Sequence, residues 1–244
     1  MANITEVPVR YKDSGGTELN GYLVHDADKT GRRPGVLVFH EWWGITEHVR
    51  NEARYFAGLG YSAFVADLYG GRTADNPEDA GALMNRLMGD VMVVNARLNA
   101  AREQLANHAT VNPARIAAAG YCMGGKLALD MARAGAELRA AVSFHGNLTP
   151  RTKAEKDKVK ARVLALNGAD DPFVNAESIT AFKKEMSLAG VDYKFVNYPG
   201  AVHAFTNPQA TEKGEKFKLP LRYHAEADRQ AKEEAAKWLA RSFL

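Results

Sequence analysis

Apolar residues in this chain fall into two alternating patterns. Short, largely apolar runs occupy residues 35–39 and 62–66, and another strand is predicted at 161–166. Runs of that kind suit strands buried on both faces of a parallel sheet. The first is opened by Pro34 and reads Gly35-Val36-Leu37-Val38-Phe39. Between the runs lie segments with apolar positions at helical spacing, at 47–59, 77–88, 91–107, 123–133, 176–189 and 221–243. Gly60 and Gly190 supply stop signals for two of them. Further strands are predicted at 115–119, 138–144 and 192–197. At the start, 7–11 and 19–24 read as a hairpin turning at Asp13-Ser14-Gly15-Gly16. The polar stretch 207–220 is expected to form no regular element.

Strands alternating with helices after an antiparallel start predict an α/β fold. The expected architecture is a mostly parallel, twisted sheet with helices on both faces and an N-terminal antiparallel hairpin. No repeat, linker or compositional break divides 1–244, so one domain is expected.

Composition narrows the function. The chain is 46% hydrophobic, enough for a large core, and its formal net charge is +3. Basic clusters at Arg32-Arg33 and across 153–162 sit among acids, and form no stripe for nucleic acid. No apolar run approaches the ~18 residues of a membrane span. Residues 1–10 lack the apolar core of a signal peptide. The single cysteine cannot form an internal disulfide, which points to the cytoplasm.

That cysteine lies in Ala119-Gly120-Tyr121-Cys122-Met123-Gly124-Gly125, between a predicted strand and a predicted helix. A sharp strand-to-helix turn pushes a nucleophile clear of the backbone, and the strain demands small flanking residues. Gly120 and Gly124 hold those places. The helix N-terminus favours negative charge, which suits a thiolate. The N–H of Met123 is placed to hold an oxyanion.

A thiol nucleophile needs a base, and the base needs a partner that fixes its tautomer. In α/β-hydrolases the order along the chain is nucleophile, acid, histidine. Three histidines follow Cys122: His145, His203 and His224. His224 falls inside a predicted helix. His145 comes too early in the order, though it could line a pocket. His203 follows the Pro199-Gly200 turn at a strand end, and is the expected base. Asp170 and Asp171 compete as the acid. Pro172 restrains Asp171 toward extended geometry, so Asp171 is expected to orient His203 and Asp170 to cap the turn.

After the strand at 35–39 comes His40-Glu41-Trp42-Trp43-Gly44. This loop commonly supplies a second oxyanion donor, here the N–H of Trp42. Glu41 is a candidate to modulate the thiol, and Trp43 a candidate pocket wall. No His-Glu-x-x-His pattern occurs, and neither metal nor cofactor is expected.

Together these segments resemble the dienelactone hydrolase family over nearly the whole chain. The resemblance rests on His40-Glu41-Trp42-Trp43-Gly44, Asp67-Leu68-Tyr69, Gly120 to Gly125, Gly168-Ala169-Asp170-Asp171-Pro172 and Gly200-Ala201-Val202-His203-Ala204-Phe205. It implies an α/β-hydrolase fold, a Cys122–Asp171–His203 triad and a Glu41 that interacts with the resting thiol. It also implies hydrolysis of a carboxymethylenebutenolide-like lactone. Tyr69, Tyr121 and Phe205 are carried over as candidate substrate-binding or thiol-modulating residues. Two arginines that hold a substrate carboxylate in the family are replaced, by Leu83 and Asn207, with Arg72 and Arg86 near the first. A broader carboxylic ester or lactone is therefore expected as substrate for a monomer or homodimer. The alternatives are a thioesterase, peptidase or acyltransferase with the same triad, or a non-catalytic member sensing oxidants through Cys122.

Overall fold

A computed structural model describes residues 2–244. Among them are eight strands and seven helices, in two compact units, Met1–Ile116 and Ala117–Leu244.

In the first unit, β1 (Ile4–Lys12) and β2 (Glu18–Asp26) form the expected hairpin, pairing antiparallel along their whole length. β2 is also antiparallel to β4 (Ser62–Ala66), and β4 runs parallel to β3 (Arg33–Phe39). The order here is β1-β2-β4-β3. Every residue of β4 is buried. Successive side chains of a strand point to opposite faces, so both faces of the sheet are covered there. Helices α1 (Glu47–Gly58), α2 (Pro77–Met88) and α3 (Val91–Ala106) complete the unit. Asn76 caps α2 by accepting from the N–H of Asp79, and Asp90 caps α3 by accepting from Met92 and Val93. Each cap satisfies donors that a helix start leaves without intrahelical partners.

The second unit carries parallel strands in the order β5-β6-β7-β8. These are β5 (Val111–Tyr121), which runs across the unit boundary, β6 (Ala140–Phe144), β7 (Arg162–Gly168) and β8 (Tyr193–Tyr198). All of β6 is buried. Helices α4 (Met123–Arg133), α5 (Ala176–Leu188), α6 (Ala210–Phe217) and α7 (Ala225–Ser242) follow their strands.

Two expectations need correction. The stretch 207–220 contains α6, a two-turn helix that buries only Ala210 and Gly214. So small an apolar face leaves no helical pattern to read. The last helix starts at Ala225 rather than near 221, because His224 is its N-cap and accepts from the N–H of Ala227. His224 therefore lies outside the helix interior.

Candidate active site

The sharp turn between β5 and α4 places Cys122 at φ 53° and ψ −113°, outside the ordinary regions for a residue with a Cβ. Such a conformation costs about 1–3 kcal/mol and persists only when its surroundings hold it. The glycines explain how it is held. A Cβ on Gly120 would run into the carbonyl of Gly124, and one on Gly125 would meet Ser143 Oγ at 2.7 Å. Only bare backbone lets the start of α4 come so close to β5 and β6. The thiol is half-buried, and Met123 is the first residue of α4.

The other two expected members of the triad lie in the same unit. Asp171 follows β7, and its side chain is wholly buried. One carboxylate oxygen accepts from the N–H of Phe173 at 2.9 Å, which fixes the group in place. The other lies 2.7 Å from Nδ1 of His203. Asp170 is exposed, so of the two neighbours only Asp171 faces the imidazole.

His203 is buried after β8 and is hydrogen-bonded on its other side to Cys122. Burial alone would lower its pKa. Charge interactions and hydrogen bonds with Cys122 and Asp171 outweigh burial and raise it to about 10. The imidazole is thus held in its charged form between Asp171 and Cys122. The His203 loop is tied to the segment before α7. The N–H of Arg222 donates to His203 O at 3.3 Å, and the N–H of His224 donates to Phe205 O at 3.0 Å.

In the first unit, His40 is fully buried. Its Nδ1 lies 2.6 Å from the carbonyl oxygen of Glu41, and its Nε2 accepts from the N–H of Leu68 at 3.3 Å. Because Nε2 accepts, the proton sits on Nδ1 and the ring is neutral. Burial lowers its pKa, against smaller opposing pulls from the Glu41 carbonyl and the Asp67 charge. The Glu41 carbonyl shares a planar peptide unit with the N–H of Trp42. Fixing one therefore fixes the other. Tyr69 adds a second tie, its hydroxyl donating to Trp42 O at 3.1 Å. Trp42 is half-buried, while Glu41, Trp43 and Tyr69 are buried.

Tyr121 is wholly buried and stacked on Phe144, with ring centroids 4.6 Å apart. Phe205 is also buried, against His145 and Tyr198. Both are closed off from solvent. Asn207, where the family's second arginine stands, is buried and accepts from the N–H of Gln209 at the approach to α6. Leu83 is half-buried on α2, and Arg72 and Arg86 are exposed.

Sequence reasoning passed over Phe173 and read His145 only as a residue that could line a pocket. Phe173 is half-exposed and sets its ring edge-on to His203, centroids 5.0 Å apart. Its place right after Asp171-Pro172 was the available signal. Among the described residues no group of three His, Cys, Asp or Glu side chains is arranged to hold a metal ion, and no helix is long and apolar enough to cross a membrane.

A strained nucleophile turn on a strand-to-helix junction, followed by an acid and a histidine after later strands, defines the α/β-hydrolase class. The chain belongs to the dienelactone hydrolase family, whose profile matches residues 19–243. It is 34% identical over 200 residues to Protein usf of Aquifex pyrophilus, covering 80% of this chain and 85% of that one. It is 32% identical, with the same coverage, to a protein of Aquifex aeolicus (strain VF5) named "Putative carboxymethylenebutenolidase". Among solved structures it is similar to the dienelactone hydrolase-like promiscuous phosphotriesterase P91 from metagenomic libraries. That likeness has a TM-score of 0.93 and 33% identity, and covers 100% of both chains. The chain is an ester or lactone hydrolase by family.

Proposed function

We propose that the chain hydrolyses lactones or carboxylic esters through Cys122, His203 and Asp171, by way of a thioester on Cys122. The observation that carries this reading is the line of contacts from Asp171 through His203 to Cys122. The thiolate Sγ adds to the carbonyl carbon, and the carbonyl electron pair moves onto oxygen. The N–H of Met123 and, on the family pattern, the N–H of Trp42 hold that oxyanion, each donor contributing on the order of 3 kcal/mol. Collapse expels the alkoxide oxygen, which takes the proton from His203. Water then gives a proton to His203 as its oxygen attacks the thioester, and the thiolate leaves.

The charges make His203 suited to both steps. In the resting enzyme the thiolate helps to raise its pKa. Acylation removes that negative charge and its hydrogen bond, while burial still pushes the pKa down. The imidazole therefore becomes a weaker acid-holder when it must act as a base. Asp171 keeps the tautomer that directs the free nitrogen toward sulfur. Glu41, a buried carboxylate beside Trp42, is read as a modulator of the resting thiol. Because neither Leu83 nor Asn207 carries a positive charge to pair with a substrate carboxylate, the substrate class is read as broader than dienelactone. A reduced, reactive thiol suits the cytoplasm.

The full-length likeness to P91 favours a second reading, attack of the same thiolate on a phosphotriester. One panel tests both readings: an aryl acetate, a five-membered lactone, a thioester, a peptide and paraoxon, with wild type, Cys122→Ala and His203→Ala. The first reading expects turnover of ester and lactone, an acyl adduct on Cys122 by mass spectrometry, and loss of both in the variants. Equal ester rates in wild type and His203→Ala would overturn it.

A further inference from the structure

His145 follows β6 and is completely buried, with a left-handed φ of 42°. A non-glycine residue pays for that conformation, so other contacts must hold it there. Its backbone N–H donates to Leu166 O, at 2.8 Å, on β7, the strand that leads to Asp171. Its Nδ1 accepts from the N–H of Cys122 at 3.1 Å, a donor shared with Phe144 O at 3.0 Å. Its Nε2 lies 2.9 Å from Oγ1 of Thr206, three residues beyond His203. A backbone N–H can only donate, so Nδ1 carries no proton and Nε2 donates to Thr206. The His145 ring also stands edge-on to His203, with centroids 5.3 Å apart.

We propose that His145 is a positioning residue, a buried neutral brace that links the Cys122 turn to the His203 loop through Thr206 and so sets the sulfur-to-imidazole distance. This deepens the function proposed above and rests on it. The brace touches no substrate. It acts because the Cys122 and His203 backbones come from distant parts of the chain, and each is strained or looped. A small relative shift would break the Cys122–His203 contact, and misplacement by ~1 Å costs on the order of 10²-fold in rate.

The test cuts the link at both ends. His145→Asn keeps an acceptor near the Nδ1 position but cannot reach Thr206. Thr206→Val removes the hydroxyl and keeps the shape, whereas Thr206→Ser keeps the hydroxyl. Circular dichroism checks that each variant is folded. Two quantities are read: kcat and KM on an aryl ester, and the pH profile of iodoacetamide alkylation, which reports Cys122 alone because the chain has no other cysteine. The expected result is a fall in kcat of roughly 10²-fold with KM little changed. The alkylation profile should move to higher pH in Thr206→Val and His145→Asn, and Thr206→Ser should restore the wild-type profile. A merely structural residue would not move that profile in a folded variant. A folded Thr206→Val with the wild-type profile overturns the brace, and so does a Thr206→Ser that behaves as Thr206→Val. The alkylation readout does not need turnover. A wild type that hydrolyses no ester but whose profile shifts as described would sink the hydrolytic reading and leave the brace standing.

Discussion

Asp171 and His203 meet through a 2.7 Å contact between a wholly buried carboxylate and a ring nitrogen, across 32 residues of chain. The contact orients the imidazole and stabilises its charged form. Asp171→Asn keeps an acceptor for the N–H of Phe173 but presents the wrong partner to the ring. The expected loss in kcat is roughly 10²–10⁴-fold, with circular dichroism unchanged. A variant within twofold of wild type would remove Asp171 from the mechanism.

The charge on His203 should follow the charge on Cys122. In the resting enzyme His203 is expected to stay protonated through neutral pH and lose its proton near pH 10. Cys122→Ala removes two of the influences that raise it, so the midpoint should fall. Imidazole proton shifts followed by NMR titration measure both midpoints. A midpoint that does not fall in Cys122→Ala would mean that sulfur carries no negative charge beside the ring.

Gly120 should tolerate no side chain. A methyl there meets the Gly124 carbonyl, and the turn must open to admit it. Gly120→Ala is expected to destabilise the fold by about 1–3 kcal/mol and to slow alkylation of Cys122. Thermal melts and iodoacetamide kinetics check the two effects separately. Unchanged alkylation in a destabilised variant would show that strain at the turn does not present the thiol.

His40 tests the assignment of Trp42. Removing the ring's donor to Glu41 O frees the peptide unit that carries the Trp42 N–H. His40→Phe is expected to lower kcat by roughly 10²–10³-fold and to leave the alkylation profile alone. Tyr69→Phe, which cuts the neighbouring tie, should do the same more weakly. If both variants keep full kcat, the oxyanion is held by other donors.

Legibility in the sequence followed the range of each interaction. The hairpin, the buried strands and the turn at Cys122 were readable because their causes are local: alternation, continuous apolar runs, and glycines two residues either side of the thiol. Asp171 was readable against Asp170 because Pro172 acts on its immediate neighbour. α6 left too weak a periodic trace, with only Ala210 and Gly214 turned inward. The links made by His145 span 23 and 61 residues, and nothing in the local pattern marks them. The same holds for Asn207, whose burial and turn contact depend on how the chain folds after His203.

The backbone ties from Arg222 and His224 to the His203 loop bear on how the protein is born. During synthesis the cysteine turn and the acid emerge early, but the loop with the imidazole gains its last anchors only when residues 221–224 have been made and docked. A ribosome-bound chain that ends before them would hold Cys122 without a steadied His203 loop. Reactivity toward passing esters should accordingly switch on late, only in chains in which residues 221–224 have already docked.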